Sequence, residues 1–325
     1  MTAVPGAAVR TVLGDISPGD LGVCDAHDHL FLRTPRLPGQ ELTDAAAAGA
    51  ELRAFAALGG ASVAQWTPIG MGRGARALPG LSRSTGVHII AATGLHQAVH
   101  YDPHALRRLL DGLAERFVTE LTRGIPLGGA PGADGVPAVR AVRAGLIKVA
   151  GGLHGPDAHT RHVFAAAATA HHATGAPIGV HLEGGAGAPE VLDLLCARHG
   201  VPPHRVILGH LGRLPVDPRI HRQAAGAGAY LAFDGPSPAH RATDGRLLPC
   251  LAALVEAGHA GRVLLGADTT TAAARGCLPG LLTGTAARVR RELGPEVAAL
   301  FLGANPARAF ATVWATGGDG GSGGG

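Results

Sequence analysis

The sequence predicts an α/β fold, a closed (β/α)8 TIM barrel, on three observations. Eight short apolar or β-branched runs recur along the 325 residues. Ala-rich stretches of helical length alternate with them, the pattern of successive βα units. Side chains able to do chemistry collect at the C-terminal ends of the runs, where barrel enzymes carry their sites. An open doubly wound sheet is the rival. It would place a Gly-rich turn after the first strand, and Asp25-Ala-His-Asp-His stands there instead.

The elements follow in order. Strand Gly22–Asp28 leads to helix Leu42–Leu58, strand Ala61–Thr67 to helix Gly74–Ser84, and strand Val87–Thr93 to helix Pro103–Thr122. A Gly- and Pro-rich stretch, Gly124–Gly135, reads as a flexible insertion before strand Gly145–Val149 and helix Asp157–Thr174. Strand Pro177–His181 precedes helix Pro189–His199, strand Arg205–His210 precedes helix Pro218–Ala227, and strand Ala229–Asp234 precedes helix Arg246–Ala257. Strand Arg262–Asp268 and a helical block, Leu282–Leu302, complete the set. One domain over residues 1–316 is expected, with Gly317–Gly325 as a disordered tail. No short internal repeat underlies the βα pattern.

Composition removes several function classes. A hydrophobic fraction of 46% against 16% charged supports a large core. Aromatics at 3% are too few for stacking platforms that bind single-stranded nucleic acid or sugars. The net charge of +4 is scattered rather than clustered, so no nucleic-acid partner is expected. Cys24, Cys196, Cys250 and Cys277 are far apart and form no CxxC pair, which fits a reducing cytoplasm. Met1–Gly14 holds one Arg and no long apolar core, so no signal peptide is expected. No apolar run approaches the roughly 18 residues of a membrane span. The helices carry little charge for surface helices; a homodimer face accounts for that, and so does plain Ala richness.

The chemistry is legible at the strand ends. His27 and His29 close the first strand at i and i+2, which puts both imidazoles on one face. Such a pair can share a metal ion, with ligands from other strands completing the shell. Lys148 ends the fourth strand, His181 the fifth, His210 the sixth and Asp268 the eighth. One such residue would be an ordinary core or loop side chain. Five strand ends so equipped is hard to obtain by accident, even with 18 histidines in the chain. Lys148 is also the only lysine among 28 basic residues. Arginine keeps its proton, whereas a buried lysine can lose it. A neutral amine can add carbon dioxide and become a carbamate, an anion with two oxygens able to bridge two cations. The alternatives are a salt-bridging lysine or a Schiff-base lysine, as in barrel aldolases. The Schiff base leaves four histidines and an aspartate without a task.

This set resembles the phosphotriesterase family of the amidohydrolase superfamily, from Thr11-Val-Leu-Gly to Asn305-Pro-Ala-Arg-Ala-Phe. The quoted matches are Val12-Leu-Gly-Asp-Ile-Ser-Pro with His27-Asp-His29-Leu, then Ala92-Thr-Gly94, Ile147-Lys148, Val180-His181, Ile207-Leu-Gly-His210 and Gly266-Ala-Asp268. The resemblance implies an amidohydrolase-like barrel with two divalent metal ions, zinc first, manganese, iron and cobalt remaining open. It implies that His27, His29 and Asp268 hold the more buried ion and His181 and His210 the more exposed one. Carbamylated Lys148 and a hydroxide would bridge them. The hydroxide would attack, the exposed ion would polarise a C=O or P=O, and Asp268 would orient the hydroxide and take its proton.

The sequence departs from that pattern at the proton relay. In the family's triesterases proper, a histidine after strand seven and an aspartate after strand six pass the proton on. Gly235 and Arg213 stand there in this chain. The expected reaction therefore shifts towards lactone or carboxylic ester hydrolysis, with phosphoesters still open. Arg213 either binds an anionic group of a small-molecule substrate or pairs within its loop. Arg275, on the eighth loop, has the same two readings. His96 sits where the family places an aromatic, and either contacts substrate or fills space. Asp234 either bonds a ligand or ties down strand seven, and Glu183, two past His181, either shares the pocket face or orders its loop through an ion pair. His100 and Tyr101 are weaker candidates. His159, His162 and His171-His172 read as solvated helix ends. Gly70-Met-Gly72-Arg-Gly74 lacks the following Lys-Ser/Thr of a nucleotide loop, and no Gly-x-Ser-x-Gly elbow occurs. Two other classes stay in play: a Schiff-base lyase using Lys148, and a barrel that binds metal or ligand without catalysis.

Overall fold

The computed structural model describes residues 5–127, 142–213, 218–235 and 244–314. Most of the predicted Gly124–Gly135 insertion and the whole Gly317–Gly325 tail lie outside them. A short antiparallel hairpin, β1 (Val9–Thr11) and β2 (Gly14–Ile16), precedes the barrel. Eight parallel strands follow in sequential order. They are β3 (Cys24–Asp28), β4 (Ser62–Gln65), β5 (His88–Gly94), β6 (Leu146–Ala150), β7 (Ile178–His181), β8 (Val206–Gly209), β9 (Tyr230–Asp234) and β10 (Val263–Gly266). The backbone N–H of Asp268 donates to the His27 carbonyl at 3.0 Å, which closes β10 onto β3. The fold is the expected TIM barrel, and each strand end lies within two residues of its sequence-derived position.

The helices include α1 (Ala45–Ala57), α2 (Leu78–Thr85), α3 (Pro103–Leu110), α4 (Leu113–Thr122), α5 (Ala158–Thr174), α6 (Ala188–Leu192), α7 (Pro218–Ala227) and α8 (Asp244–Glu256), with shorter segments after β10. Two of the expected helices are interrupted. Pro103–Thr122 divides at Gly112, whose φ of +63° is left-handed and ends the first segment. The block Leu282–Leu302 is broken at Gly294-Pro295, where φ is +100° and the next segment begins on proline. The β1–β2 hairpin was not anticipated, because three-residue strands are too short to show a period.

The core has two layers. One lies between the strands and the helices. The other fills the barrel, where Cys24, Ala26, Ala64, Ala92, Leu146, Ile207 and Leu264 surround Trp66. Small residues make the room: a Cβ on Gly179 or Gly209 would stand 2.9 or 3.1 Å from the Trp66 ring. The indole N–H is satisfied by the Ala26 carbonyl at 2.8 Å. Trp66 is thus the floor on which the strand-end residues stand. Val9, Leu21 and Phe310 close the opposite end of the barrel.

Candidate metal centre

Period-two alternation alone would not place His27 correctly. Cys24 and Ala26 pack inside the barrel, so the next residue should point outward. The β3–β4 register shows why it does not. Asp25 pairs with Val63 and Asp28 with Gln65, so β3 carries one extra residue, a bulge. The bulge turns His27 back inside, where its ring stacks on Trp66 at 3.9 Å. Asp25 stabilises the bulge by accepting the His27 N–H at 2.9 Å.

Each imidazole is then fixed by a bond to one of its nitrogens. His27 Nδ1 lies 3.0 Å from Asp234 Oδ1. His29 Nδ1 lies 2.7 Å from Thr67 Oγ1, whose own proton goes to the Phe31 carbonyl. Both rings therefore donate from Nδ1 and keep a bare Nε2. The two Nε2 atoms sit 3.7 and 3.6 Å from Asp268 Oδ1. On β7, His181 donates from Nε2 to Glu183 Oε2 at 3.1 Å, leaving Nδ1 bare. His210 follows β8, its ring centroid 4.3 Å from His181 and 4.7 Å from His27. His210 and Asp268 have φ of +64° and +54°, and no other described non-glycine residue has a positive φ. That strain, on the order of 1–3 kcal/mol per residue, falls on two residues expected to be ligands.

Lys148 lies on β6 and is 2% exposed. Its register partner is Gly94, where a Cβ would stand 1.9 Å from the Lys148 carbonyl oxygen, so only glycine fits at the expected Thr93-Gly94 strand end. Among the described residues the Lys148 amine has no hydrogen-bond or ion-pair partner. Burial first, and Arg213 second, pull its pKa down to about 7 against the attraction of Asp268. Burial also lowers His27, and holds His29 and His181 well below the ordinary histidine range, so these rings are neutral. Burial opposes protonation of His210 too, but Asp268 and Asp234 outweigh it and raise its pKa. Asp268 stays well below the usual carboxylate range in spite of burial, held there by His210, His27 and Arg213. His27 Nε2 and Asp268 Oδ1 are buried with no hydrogen bond, whereas His210 Nδ1 lies 2.8 Å from Asp234 Oδ2. Neutral imidazoles and an ionised carboxylate with convergent, unused lone pairs are the donor set of a cation site. The Nε2 atoms of His27 and His29 and a carboxylate oxygen of Asp268 form one such group.

His29 and Asp268 face a cavity of about 740 Å³, also lined by Lys148, His181, His210, Arg213 and His96. Arg213 Nη2 donates to Asp268 Oδ2 at 2.9 Å. His96 Nδ1 accepts the Gln97 N–H at 2.8 Å, and its ring lies 4.6 Å from that of His181. Two expected contacts are placed elsewhere. Arg275 points away from the cavity: it pairs with Glu51 at 2.5 Å and donates to the Leu30 carbonyl at 3.0 Å. Asp234 is beneath the floor of the cavity, taken up by His27 and His210. His159, read as a solvated helix end, lines the cavity and bonds the His96 carbonyl at 2.8 Å. Glu183 binds a candidate ligand as well as Gln97, and Tyr101 accepts the His96 N–H through its hydroxyl. Thr67, Trp66 and Gln97, and the apolar rim of Leu32, Leu37, Val99 and Leu153, join the site without a signal of their own in the sequence. Only the position of Trp66-Thr67 at a strand end pointed to the first two.

Known proteins share this architecture. The chain is 29% identical over 274 residues to a phosphotriesterase homology protein of Mycobacterium tuberculosis, covering 80% of each. It is 28% identical over 239 residues to a phospho-furanose lactonase of Mycoplasmopsis agalactiae, covering 70% of this chain and 66% of that one. The solved structure of a lactonase from Listeria monocytogenes superposes with a TM-score of 0.82 at 26% identity, covering 93% of this chain and 98% of that one. The model of the phosphotriesterase family matches residues 7–281, so the chain belongs to that family.

Proposed function

We propose that this protein is a zinc-dependent hydrolase with two metal ions that opens lactones or cleaves carboxylic esters bearing an anionic group. The observation that carries this reading is the convergence of unused lone pairs from His27, His29 and Asp268 beside His181, His210 and an unpartnered lysine amine. His27, His29 and Asp268 would hold the inner ion, and His181 and His210 the outer one. Lys148, as its carbamate, would serve both. Such a pair of cations lowers the pKa of a shared water towards neutrality and polarises the electrophile. The protein's own groups do the rest. Asp268 orients the attacking water and takes its proton. Arg213, and Arg36 on the rim, attract the anionic group. His96 keeps its Nε2 proton for the substrate, because Nδ1 is occupied by Gln97. The apolar rim lowers the water content around the scissile bond. Gly235 and Arg213, in place of a proton relay, favour the carbonyl substrates over phosphotriesters. The lactonase named among the solved structures supports the same choice.

The cysteine pattern supports a cytoplasmic location. Among the described residues no helix is long and apolar enough to cross a membrane. The test is metal content per chain on protein purified without added metal, together with rates on a small lactone, a carboxylic ester and a phosphotriester. Two ions per chain, turnover of the first two substrates and loss on chelation are expected. Activity unaffected by chelation, with borohydride trapping of Lys148 on a carbonyl substrate, would replace this reading with a Schiff-base lyase.

A further inference from the structure

Asp234 ends β9 with both carboxylate oxygens committed. Oδ1 accepts from His27 Nδ1 at 3.0 Å. Oδ2 accepts the backbone N–H of His210 at 2.8 Å and lies 2.8 Å from His210 Nδ1. The side chain is 1% exposed and is not part of the cavity wall. Its two partners belong to different halves of the site: His27 stands with His29 and Asp268, His210 with His181. The surrounding backbone is cut to fit. A Cβ on Gly266 of β10 would stand 2.9 Å from Asp234 Oδ1, and one on Gly212 would stand 2.7 Å from the Asp234 carbonyl. The other orienting groups each serve one half. Thr67 holds His29, and Glu183 holds His181.

We infer that Asp234 is a positioning residue that ties the two ion sites together: one carboxylate sets the tautomer of His27 for the inner ion and the left-handed backbone of His210 for the outer ion. The inference rests on the two-ion hydrolase reading above. It goes further by predicting that a single change to a carboxylate beneath the cavity weakens both ions. Asparagine at this position keeps the shape but has one oxygen and an amide nitrogen. If the oxygen stays on His210 N–H, the NH2 faces His27 Nδ1 and turns that ring so that Nε2 carries the proton. If it stays on His27, the backbone of His210 loses its acceptor.

The experiment is competition for zinc between a fluorescent chelator and the purified wild-type chain, Asp234→Asn and Glu183→Gln, with ions counted per chain and circular-dichroism melts run alongside. Changes to groups that orient metal ligands cost about tenfold to a hundredfold in affinity. A loss of that size is expected for both ions in Asp234→Asn and for one ion in Glu183→Gln. Asp234→Ser carries the same expectation and replaces the asparagine variant if that one does not fold. A folded Asp234 variant that loses one ion only, or melts earlier with both zinc affinities intact, overturns the coupling while leaving the hydrolase reading in place. A wild-type chain that binds no zinc overturns both.

Discussion

The two halves of the candidate site are built differently. The inner half, His27, His29 and Asp268, is at most 5% exposed and is held by groups that are themselves buried: Asp234, Thr67 and the Trp66 ring. In the outer half, His210 shares the buried Asp234, but His181 is oriented by Glu183, whose side chain is 40% exposed, and Arg213 is 19% exposed. The rim beyond, at Val99 and Leu153, is 50% and 55% exposed. Strand ends with buried partners allow one geometry. Loop side chains with exposed partners allow several, so the inner half is suited to fixing an ion and the outer half to choosing and releasing substrate.

The sharpest way to break that division is to remove the residue proposed to belong to both halves. Lys148→Ala and Lys148→Arg are each expected to lose the outer ion and more than the roughly hundredfold that an indirect ligand change can cost. Short carboxylic acids should partly restore Lys148→Ala, because they supply the two oxygens of the carbamate. Metal analysis and hydrolysis rates read both effects. Full activity in Lys148→Arg would exclude a bridging role, since a guanidinium cannot take up carbon dioxide.

The next largest effect concerns the floor of the inner half. Trp66→Ala should cost about 3–5 kcal/mol of stability by denaturant unfolding, the usual range for a fully buried large aromatic. Gly179 and Gly209 prevent easy collapse, because the space they leave is shaped to this ring. A cost below about 1 kcal/mol would mean that the layer under the site is not set by Trp66.

In the outer half, Arg213→Ala should raise KM for an anionic lactone by an amount equivalent to roughly 1.5–3 kcal/mol, the range for a hydrogen bond to a charged group. KM for a neutral lactone should hardly move. Equal losses on both substrates would place Arg213 with Asp268 alone, as the 2.9 Å contact between them also allows.

The candidate ligands of both halves could be named from the sequence, but the contacts that orient them could not. Strand-end positions are fixed by backbone periodicity, so His27, His29, Lys148, His181, His210 and Asp268 could be named from their places at the ends of apolar runs. The solitary lysine was visible because every other basic residue is arginine. What periodicity hides is which way a second residue faces. Asp234 closes its strand, yet it points beneath the cavity because two imidazoles claim its oxygens. Arg275 is on the expected loop, but the buried carboxylate of Glu51, which comes from α1, captures it. No pattern along the chain shows that helix and loop as neighbours. The bulge that aims His27 is equally silent, since it exists only as a register difference between β3 and β4.

The smallest effect tests how loosely the outer half is held. Gln97 donates from Nε2 to the Gly151 carbonyl at 2.7 Å and to Glu183 Oε2 at 3.1 Å. Glu183 is lowered to about 2, first by its bond from His181 and also by Gln97. A carboxyl lowered in the fold contributes stability that is complete above its ordinary value of 4.5 and disappears as pH falls through about 2. Gln97→Ala removes one of the donors, so the folded value should move back up towards 4.5. The acid limb of the melting temperature against pH should still start near 4.5 but be shallower and level off at higher pH than in the wild type, with a loss at neutral pH of about 0.5–1.5 kcal/mol for a hydrogen bond of this kind. Because the Glu183 side chain is partly in water, solvent can replace the lost donor, which keeps the effect small. Superimposable acid limbs would show that His181 alone fixes Glu183. An effect as large as that of Trp66→Ala would show that the outer half is as rigid as the inner one.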